Sequence, residues 1–308
     1  MPGYALRRLL SMFPILIGVT LLLFILLRVI PGEPARMLTG ARTPSPQALS
    51  NLQERTRTRA PLYRQYSDYL TALSRGDLGR SYRSGRPVAS IIGETLPKSL
   101  ALAVLALLIE ISIGVPAGVY AAIKRGSLFD RGSMLAASLL AATPVFALGL
   151  VFQLVLGVRL RWLPVTGAGS LSSYIMPALV MALIADAYLV RVVRSSLLDV
   201  VSKDYITAAR ANGLSERRVL FVHALKNALA PIIAVAGVHF GFLIGSAVAT
   251  EVVFNWPGIG RQLFAAVMER DRPVVIGVTL VLASMFLLVN LIVDISQAWV
   301  NPRVREGL

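Results

Sequence analysis

The sequence has no cysteine and only two histidines, and these shortages exclude several kinds of site. Without cysteine, the chain forms no disulfide, no thiolate metal site and no cysteine nucleophile. The two histidines, His223 and His239, do not belong to a cluster of metal ligands. The phosphate-binding pattern GxxxxGK followed by Ser or Thr, the hydrolase pattern GxSxG and the zinc pattern HExxH are also absent. We therefore expect no catalytic residue, no metal site and no bound cofactor in this chain.

Charged residues are scarce as well. They form 15% of the 308 residues, while hydrophobic residues form 56% and the mean hydropathy is +0.69. Water-soluble domains are less apolar than this, so the composition predicts an all-α polytopic membrane protein. A net charge of +15 is also typical of nucleic-acid-binding proteins. Here the basic residues mostly lie beside apolar segments without an aromatic reader motif, so we expect membrane lipid, and no nucleic acid, as a partner.

Six apolar segments are long enough to cross about 30 Å of hydrocarbon at about 1.5 Å per residue. They are expected near residues 9–30, 98–123, 134–158, 174–193, 228–250 and 275–298. Pro144 lies inside the third segment and is expected to kink it. Lys and Arg are more frequent in the flanks that a cytoplasmic N-terminus would place inside than in the two short outer loops. This distribution predicts that both termini are cytoplasmic.

Three regions follow from this topology. Residues 1–30 are expected to form the N-terminal tail and the first span, which is retained as an anchor because no small-residue cleavage site follows it. Residues 31–96 are expected to form a small extracytoplasmic cap. Residues 97–308 are then a five-helix core with a cytoplasmic loop at 194–227 and an extracytoplasmic loop at 251–274.

Local signals predict helices and turns within the cap. Ser45 followed by Pro46 predicts the start of one helix, and residues 63–73 predict another. Three glycines then predict a turn-rich approach to the second span: Gly76, Gly79 and Gly85. The second span itself is expected to begin near Pro97.

The chain between the fourth and fifth spans is charged and contains a turn. Residues 205–212 predict a short helix rich in alanine, and Gly213 supplies the left-handed residue that ends it. Leu214 is the apolar residue that a Schellman ending requires just beyond the glycine. Ser215 then predicts the cap of a second helix, with Glu216 in its positively polarised first turn. The small residues would let another protein approach closely, so this stretch is predicted to be a docking surface.

Two features of the spans bear on mechanism. Glycines recur every four residues in the fifth span and form one stripe, which Ala249 continues: Gly237, Gly241 and Gly245. The stripe predicts close helix packing, either within the chain or against a partner subunit across a pore. Three acidic residues also lie within spans: Glu110, Asp186 and Asp294. Buried charges are costly, so we expect structural pairing for Asp186 and Asp294, whereas Glu110 has no evident partner.

Several segments together resemble one transporter family. The loop after the fourth span contains AAxxxG at 208–213 and HALKNALAP at 223–231, which resembles the EAA loop of ABC importer permeases of the dipeptide, oligopeptide and nickel branch. Further matching segments are RVIPGEP at 28–34, GDLGRS at 76–81, LPKSLALA at 96–103, VVRSSLLDV at 192–200, EVVFNWPGIG at 251–260 and NPRVR at 301–305. The chain departs from the family pattern at Thr207, where the consensus has Glu, and at residues 55–60, which lack the usual Leu-Gly-Leu pattern.

The resemblance implies a type I ABC importer permease with six transmembrane helices and a small extracytoplasmic domain after the first. Two homologous permeases would form the pore as a heterodimer in the bacterial inner membrane. Two cytoplasmic ATPases would bind ATP and Mg²⁺, and an extracytoplasmic binding protein would deliver the cargo. The cargo would be dipeptides or oligopeptides, with nickel chelates, glutathione and haem as alternatives within the branch.

The resemblance also assigns roles to residues. The stretch 204–218, which we name the elbow, would be the coupling helix that contacts an ATPase through Ala208, Ala209, Arg210, Gly213, Leu214, Ser215, Arg217 and Arg218. Position near the middle of the fifth span, and not the resemblance, makes His239, Phe240 and Phe242 the candidates for the pore or its gate, with helix packing as the alternative for each. Those expected to contact the binding protein are Phe254, Asn255, Trp256 and Arg261, and a self-packed turn is an equal alternative for them.

Two other classes of protein remain open. A secondary transporter would show two related halves, and the sequence has no internal repeat. A membrane scaffold that does not transport would also present a cytoplasmic elbow. An importer permease should co-purify with two ATPases and a second permease, whereas a secondary carrier would transport alone.

Overall fold

The computed structural model describes the backbone of residues 2–29 and 61–300. Within these ranges the chain is helical and contains no strand, only an isolated antiparallel bridge between Arg80 and Pro87. The helices in chain order are α1 (Pro2–Val29), α2 (Leu62–Ser74), α3 (Val88–Ile123), α4 (Leu128–Ala142), α5 (Val145–Phe152), α6 (Ile175–Val201), α7 (Asp204–Ala211), α8 (Glu216–Arg218), α9 (Leu225–Val253), α10 (Ile259–Met268) and α11 (Arg272–Val300). A 3-10 turn and two π-helical stretches complete them: Leu171–Tyr174, Gln153–Arg159 and Val219–Ala224.

Four helices of the described chain are long and apolar enough to cross a membrane: α1, α3, α6 with its preceding turn, and α11. Two bent pairs raise the number to six if each pair is one span. The first pair is α4 with α5, and the second runs from α8 into α9 with a bend of 48°. The predicted all-α membrane architecture is therefore confirmed.

The third predicted span is broken rather than continuous. α4 ends at Ala142, Thr143 is extended, and α5 starts after Pro144 at an angle of 106°. Proline has no N–H to continue the helix and disfavours helical geometry in the residue before it, so the break is local chemistry. Gly149 of α5 lies against Val253 and Phe254, which places the second segment beside the outer end of α9.

The helix that contains the second predicted span begins at Val88, before the start of the span expected near Pro97. Pro97 lies inside α3. The first turns of α3 bury Val88 and Ile91 against Ile259 and Val274. This apolar contact is made with residues far away in the sequence, so the local signal at Pro97 does not show where the helix begins.

The parts of the predicted cap that the structure describes agree with expectation. α2 covers the helix predicted over residues 63–73. The three glycines after it have positive φ angles of 76°, 80° and 67°: Gly76, Gly79 and Gly85. The helix start predicted at Ser45 and Pro46 lies outside the described residues.

The glycine stripe of α9 packs mainly within the chain. A Cβ on Gly237 would collide with Val293 of α11, and one on Gly241 would lie 3.0 Å from the ring of Phe286. The interpretation that the whole stripe meets a partner subunit therefore does not hold for these two residues. Gly245 has open space where its Cβ would be, so it alone keeps that role as a candidate.

The tightest helix contact joins α3 to α6 and gives a first prediction. A Cβ at Gly118 would lie 2.8 Å from the carbonyl oxygen of Val190, a backbone atom that cannot move aside freely. We expect Gly118→Ala to lower the unfolding temperature of the purified protein. Gly93→Ala is the matched control, because it adds the same methyl group to the same helix where nothing lies within 4 Å. It should be neutral or stabilising, since alanine favours helix over glycine by about 1 kcal/mol. Equal unfolding temperatures for the two variants would contradict the proposed contact.

Candidate functional site

The first helix of the elbow, α7, ends as the sequence predicts. Gly213 has a φ of 78°. Its N–H donates to the carbonyl of Arg210 at 2.9 Å, and the N–H of Leu214 donates to the carbonyl of Ala209 at 3.3 Å. These two bonds define the Schellman motif. The direction in which the chain leaves α7 is therefore fixed by backbone hydrogen bonds.

The second helix of the elbow starts where expected but without the expected side-chain cap. Ser215 has the extended backbone of an N-cap residue, and Glu216 lies in the first turn of α8. The Ser215 side chain makes no capping hydrogen bond. Glu216 instead accepts from Arg210, whose Nε lies 2.7 Å from its Oε1. This exposed ion pair closes the elbow across the turn.

The elbow is attached to the bundle by residues that the sequence analysis missed. Ile206 and Val219 are fully buried in a cluster with Leu197 and Ala224, where the last turns of α6 meet the start of α9. Asn227 Nδ2 also donates to the hydroxyl of Tyr205 at 3.0 Å. Apolar residues three apart on α7, Ile206 and Ala209, were the available signal for this face.

The exposed surface of the elbow is smaller than predicted. Ala209 and Leu214 are half-buried against the same apolar cluster, so they mainly serve the attachment of the elbow. The remaining candidates are exposed: Ala208, Arg210, Gly213, Ser215, Arg217 and Arg218. The exposed candidates are therefore three small residues and three arginines, and the acidic residues Asp204 and Glu216 are exposed beside them.

An ion pair braces the span that leads into the elbow. Arg194 of α6 donates through Nε and Nη2 to the two carboxylate oxygens of Asp130 at 2.6 and 2.8 Å. The same carboxylate accepts from the N–H of Gly126 at 2.8 Å. Two parallel bonds from a guanidinium fix orientation as well as distance. The brace joins α6 to the start of α4 just before the elbow.

On the opposite side, the turn after α9 is packed into the protein. Trp256 is fully buried, lies edge-on to Tyr174 with ring centroids 4.3 Å apart, and donates through Nε1 to the carbonyl of Lys98. Phe254 is 2% exposed. The prediction that Phe254 and Trp256 contact a binding protein assumed that both side chains are exposed. Both are buried, so this assumption is wrong. Asn255 and Arg261 are exposed and remain candidates.

A buried carboxylate organises this turn. Glu251 is fully buried and accepts from the Ser99 hydroxyl and from the backbone N–H groups of Gly260 and Arg261. The N–H of Ile259 donates to the Ser99 oxygen at 2.8 Å. Glu251 therefore satisfies the first N–H groups of α10, which have no partner within their own helix.

A second carboxylate joins the outer loops. Asp271 is 4% exposed and accepts from the Ser81 hydroxyl at 2.5 Å and from the N–H groups of Tyr82 and Arg83. Burial raises the pKa of the Tyr82 hydroxyl above its usual value, so it stays protonated. The GDLGRS segment is thereby held against the start of α11.

The three pore candidates occupy different environments. His239 Nδ1 lies 2.6 Å from Glu110 Oε1. Glu110, which had no evident partner in the sequence, is therefore paired with His239. Phe240 packs against the central core, and only Phe242, 60% exposed, lies on the outer surface of the chain. His239 and Phe240 thus face the protein interior more than expected.

The other intramembrane acids differ from each other. Asp294 pairs with Arg8 at 3.1 Å, as predicted. Asp186 does not pair with a basic group: both carboxylate oxygens are buried without a hydrogen-bond partner in the described structure. No group of three potential metal ligands occurs among the residues described.

Family comparisons cover almost the full chain. Residues 114–306 match the binding-protein-dependent transport system inner membrane component, and residues 1–103 match the N-terminal model of the same kind of membrane component. The dipeptide transport system permease of Alkalihalophilus pseudofirmus is 37% identical, over 99% of this chain and 100% of the relative. The glutathione transport system permease of Escherichia coli K12 and the di/tripeptide permease of Pseudomonas aeruginosa are each 38% identical, over 99% of both chains compared.

Solved structures agree in fold. An inward-facing form of the MetNI methionine ABC transporter matches with a TM-score of 0.60 at 18% identity, over 68% of this chain and 96% of the other. An amino acid ABC transporter matches with a TM-score of 0.55 at 17% identity, over 68% and 94%. This chain is a multi-pass membrane permease that belongs to the family of binding-protein-dependent transport system inner membrane components.

Proposed function

We propose that this chain is one of two pore-forming permeases of an ATP-driven importer that carries dipeptides or oligopeptides into the cytoplasm. The observation that carries the proposal is the elbow, which is attached at one point to the ends of both α6 and α9. The dipeptide and di/tripeptide permeases among the relatives support the cargo. ATP and Mg²⁺ would be bound by two partner ATPases and not by this chain.

The attachment of the elbow supports a mechanical role. Ile206 and Val219 link it to α6 and α9 through packed side chains, which are close to incompressible. A displacement of the exposed surface would therefore tilt both helices together, in a hinge-type transition. The Arg194–Asp130 brace extends the moving unit to α4. ATPase closure would in this way open the bundle on alternate sides.

The membrane orientation has support within the bundle. The ion pair between Arg8 and Asp294 joins the beginning of α1 to the last turns of α11. The start of α1 and the last turns of α11 therefore lie on the same side of the bundle. With the elbow facing the ATPases, that side is the cytoplasm, and the turn around Asn255 and Arg261 would face the binding protein. Gly245 and Phe242 would face the second, homologous permease.

Cross-linking tests the coupling role. Because the chain has no cysteine, Arg210→Cys and Ser215→Cys each introduce a unique thiol. We expect both to cross-link to an ATPase in the assembled complex. Leu171→Cys is the control, because Leu171 is 88% exposed and lies before the outer end of α6. Cross-links from Leu171 alone, or none from the elbow, would refute the docking assignment.

Glutathione is a second candidate cargo, because its permease in Escherichia coli is as similar to this chain as the peptide permeases are. Uptake of a labelled dipeptide by the reconstituted complex should fall when unlabelled dipeptides are added and change little with glutathione. The opposite order of competition would assign glutathione instead.

A further inference from the structure

Three ionisable side chains from three spans meet inside the bundle. Glu110 of α3 is fully buried and contacts His239 of α9 through the 2.6 Å bond. Asp186 of α6 is 4% exposed, and its carboxylate lies directly against Gly114, where any Cβ would collide with it. Gly114 is one helical turn after Glu110 on the same face of α3. The two carboxyl groups are therefore neighbours along that face.

The cluster lacks hydrogen-bond donors. Glu110 Oε2 and both oxygens of Asp186 are buried without a partner in the described part of the chain. An ionised carboxylate without a donor in an apolar bundle is far more costly than a protonated one. The missing donor is supplied most simply by hydrogen on the carboxyl groups themselves.

We propose that Glu110, Asp186 and His239 form a proton-binding site where the second, fourth and fifth spans meet. A metal ion would need about six oxygen ligands for Mg²⁺ or Ca²⁺, and this cluster offers two carboxyl groups. The Asp186 carboxylate is also packed onto backbone at Gly114, a contact that a methyl group would break. A proton needs no cavity, so it is the ligand that fits.

His239 is the group through which the proton exchanges. Its side chain is 15% exposed, whereas that of Glu110 is not exposed at all. Its ring lies 5.4 Å from the ring of Tyr188, a residue that is 55% exposed. His239 Nδ1 therefore links Glu110 Oε1 to the less buried side of the cluster, beside Tyr188.

Other charged groups on the packed helices are engaged elsewhere. Their partners are Ser138 for Arg191, Asp130 for Arg194, Ser99 for Glu251 and Arg8 for Asp294. The remaining ionisable side chains of α3, α6 and α9 lie toward the ends of these helices: Glu94, Lys98, Tyr120, Asp199 and Lys226. None of these interactions supplies the missing donor to Asp186.

The site has a mechanical consequence, which rests on the proposed function. The same three helices carry the apolar cluster that holds the elbow. Moving α9 away from α3 would break the contact between His239 and Glu110 and leave the Glu110 carboxyl group buried without that partner in an apolar medium. The protonation state therefore biases which arrangement of the three spans is favoured, and uptake should depend on pH through this cluster.

Infrared spectroscopy tests the site without assuming any cargo. The assembled complex in lipid nanodiscs should show a protonated-carboxyl C=O band at neutral pH that Asp186→Asn removes and Glu110→Gln shifts or removes. Asp294→Asn is the control, because Asp294 is paired with Arg8 and should not contribute to the band. Spectra that are the same for wild type, Asp186→Asn and Glu110→Gln would overturn the proposal.

The pH profile of ATP-driven uptake is the second readout. We expect His239→Gln to shift the midpoint of the profile by about one pH unit or more, which a merely destabilised variant would not do. A profile unchanged in all three cluster variants would overturn the regulatory role while leaving the proposed transport function intact. A variant that instead weakens uptake of free-amine peptides but not of N-acetylated ones, at unchanged pH profile, would show that the cluster binds the cargo ammonium and not a proton.

Discussion

Gly213→Val is expected to abolish uptake while the protein still inserts and the partner ATPases still hydrolyse ATP. The φ angle of Gly213 is 78°, a region where a β-branched residue is strongly disfavoured. A left-handed backbone costs an ordinary residue about 1–2 kcal/mol, which is enough to depopulate the docking form of the elbow about tenfold. Because nothing lies within 4 Å of the Cβ position, this cost is backbone strain and not collision.

Two control variants separate coupling from stability. Gly213→Asn should keep most uptake, because asparagine tolerates the left-handed region. Gly76→Val introduces the same strain at a φ of 76°, also in open space, but in the turn after α2, far from the elbow and the brace in the chain. It should lower stability without separating ATP hydrolysis from uptake. Normal uptake and normal coupling in Gly213→Val would mean that the elbow is not the coupling element.

The elbow could be predicted in detail because its determinants are local. A run of alanines, a glycine, an apolar residue and a serine specify a helix, its left-handed ending and the next helix start within a dozen residues. The structure places α7 and Gly213 where this reasoning placed them. What the pattern could not show was which alanines face the bundle, because that depends on Ile206 and Val219 meeting the ends of two distant spans.

The outer turn shows the opposite case. The sequence EVVFNWPGIG predicts a turn, and the turn is present, but its aromatic residues are inside it. Their burial depends on Tyr174 and Lys98, which lie far from Trp256 in the sequence. Exposure of a loop residue is a property of such distant contacts, so composition alone suggested two exposed aromatic residues that the fold buries.

The buried acids could be found from the sequence, but their partners could not. An acid within an apolar span is visible at once, and its cost predicts a partner. The partner of Glu110 is His239, 129 residues away, and that of Asp294 is Arg8 in the first span. Only the packing of the helices decides these pairs, and it leaves Asp186 with none among residues 2–29 and 61–300.

The second large effect is expected at Glu251. Glu251→Ala would leave the Ser99 hydroxyl and the first N–H groups of α10 buried without an acceptor. Each unsatisfied buried donor costs about 1–3 kcal/mol, so we expect a loss of at least about 3 kcal/mol of stability. Glu251→Gln keeps one acceptor oxygen and should lose about half as much. Both losses are measured as changes in the free energy of unfolding of the outer turn. The readout is the accessibility of a thiol introduced by Trp256→Cys.

Binding of the extracytoplasmic partner should fall more in Glu251→Ala than in Glu251→Gln, because Asn255 and Arg261 are positioned by the turn that Glu251 holds. Arg261→Ala is the control, since the Arg261 side chain is exposed and the bond to the Glu251 carboxylate is made by its backbone N–H, which the substitution keeps. It should alter partner binding without altering stability. Unchanged stability in Glu251→Ala would mean that water or lipid satisfies α10, and the turn would then not depend on this carboxylate.

A double-mutant cycle distinguishes the carboxylate from the turn itself. A Cβ on Gly258 would collide with the carboxyl group of Glu251, which its hydrogen bonds hold in place. Gly258→Ala alone should therefore displace the carboxylate and destabilise the turn. In the Glu251→Ala background the same methyl group has room, so the second substitution should add little. The geometry predicts a coupling free energy of about 1 kcal/mol or more, because neighbouring residues that share one contact do not act independently. Additive losses would instead mean that the cost of Gly258→Ala lies in the backbone.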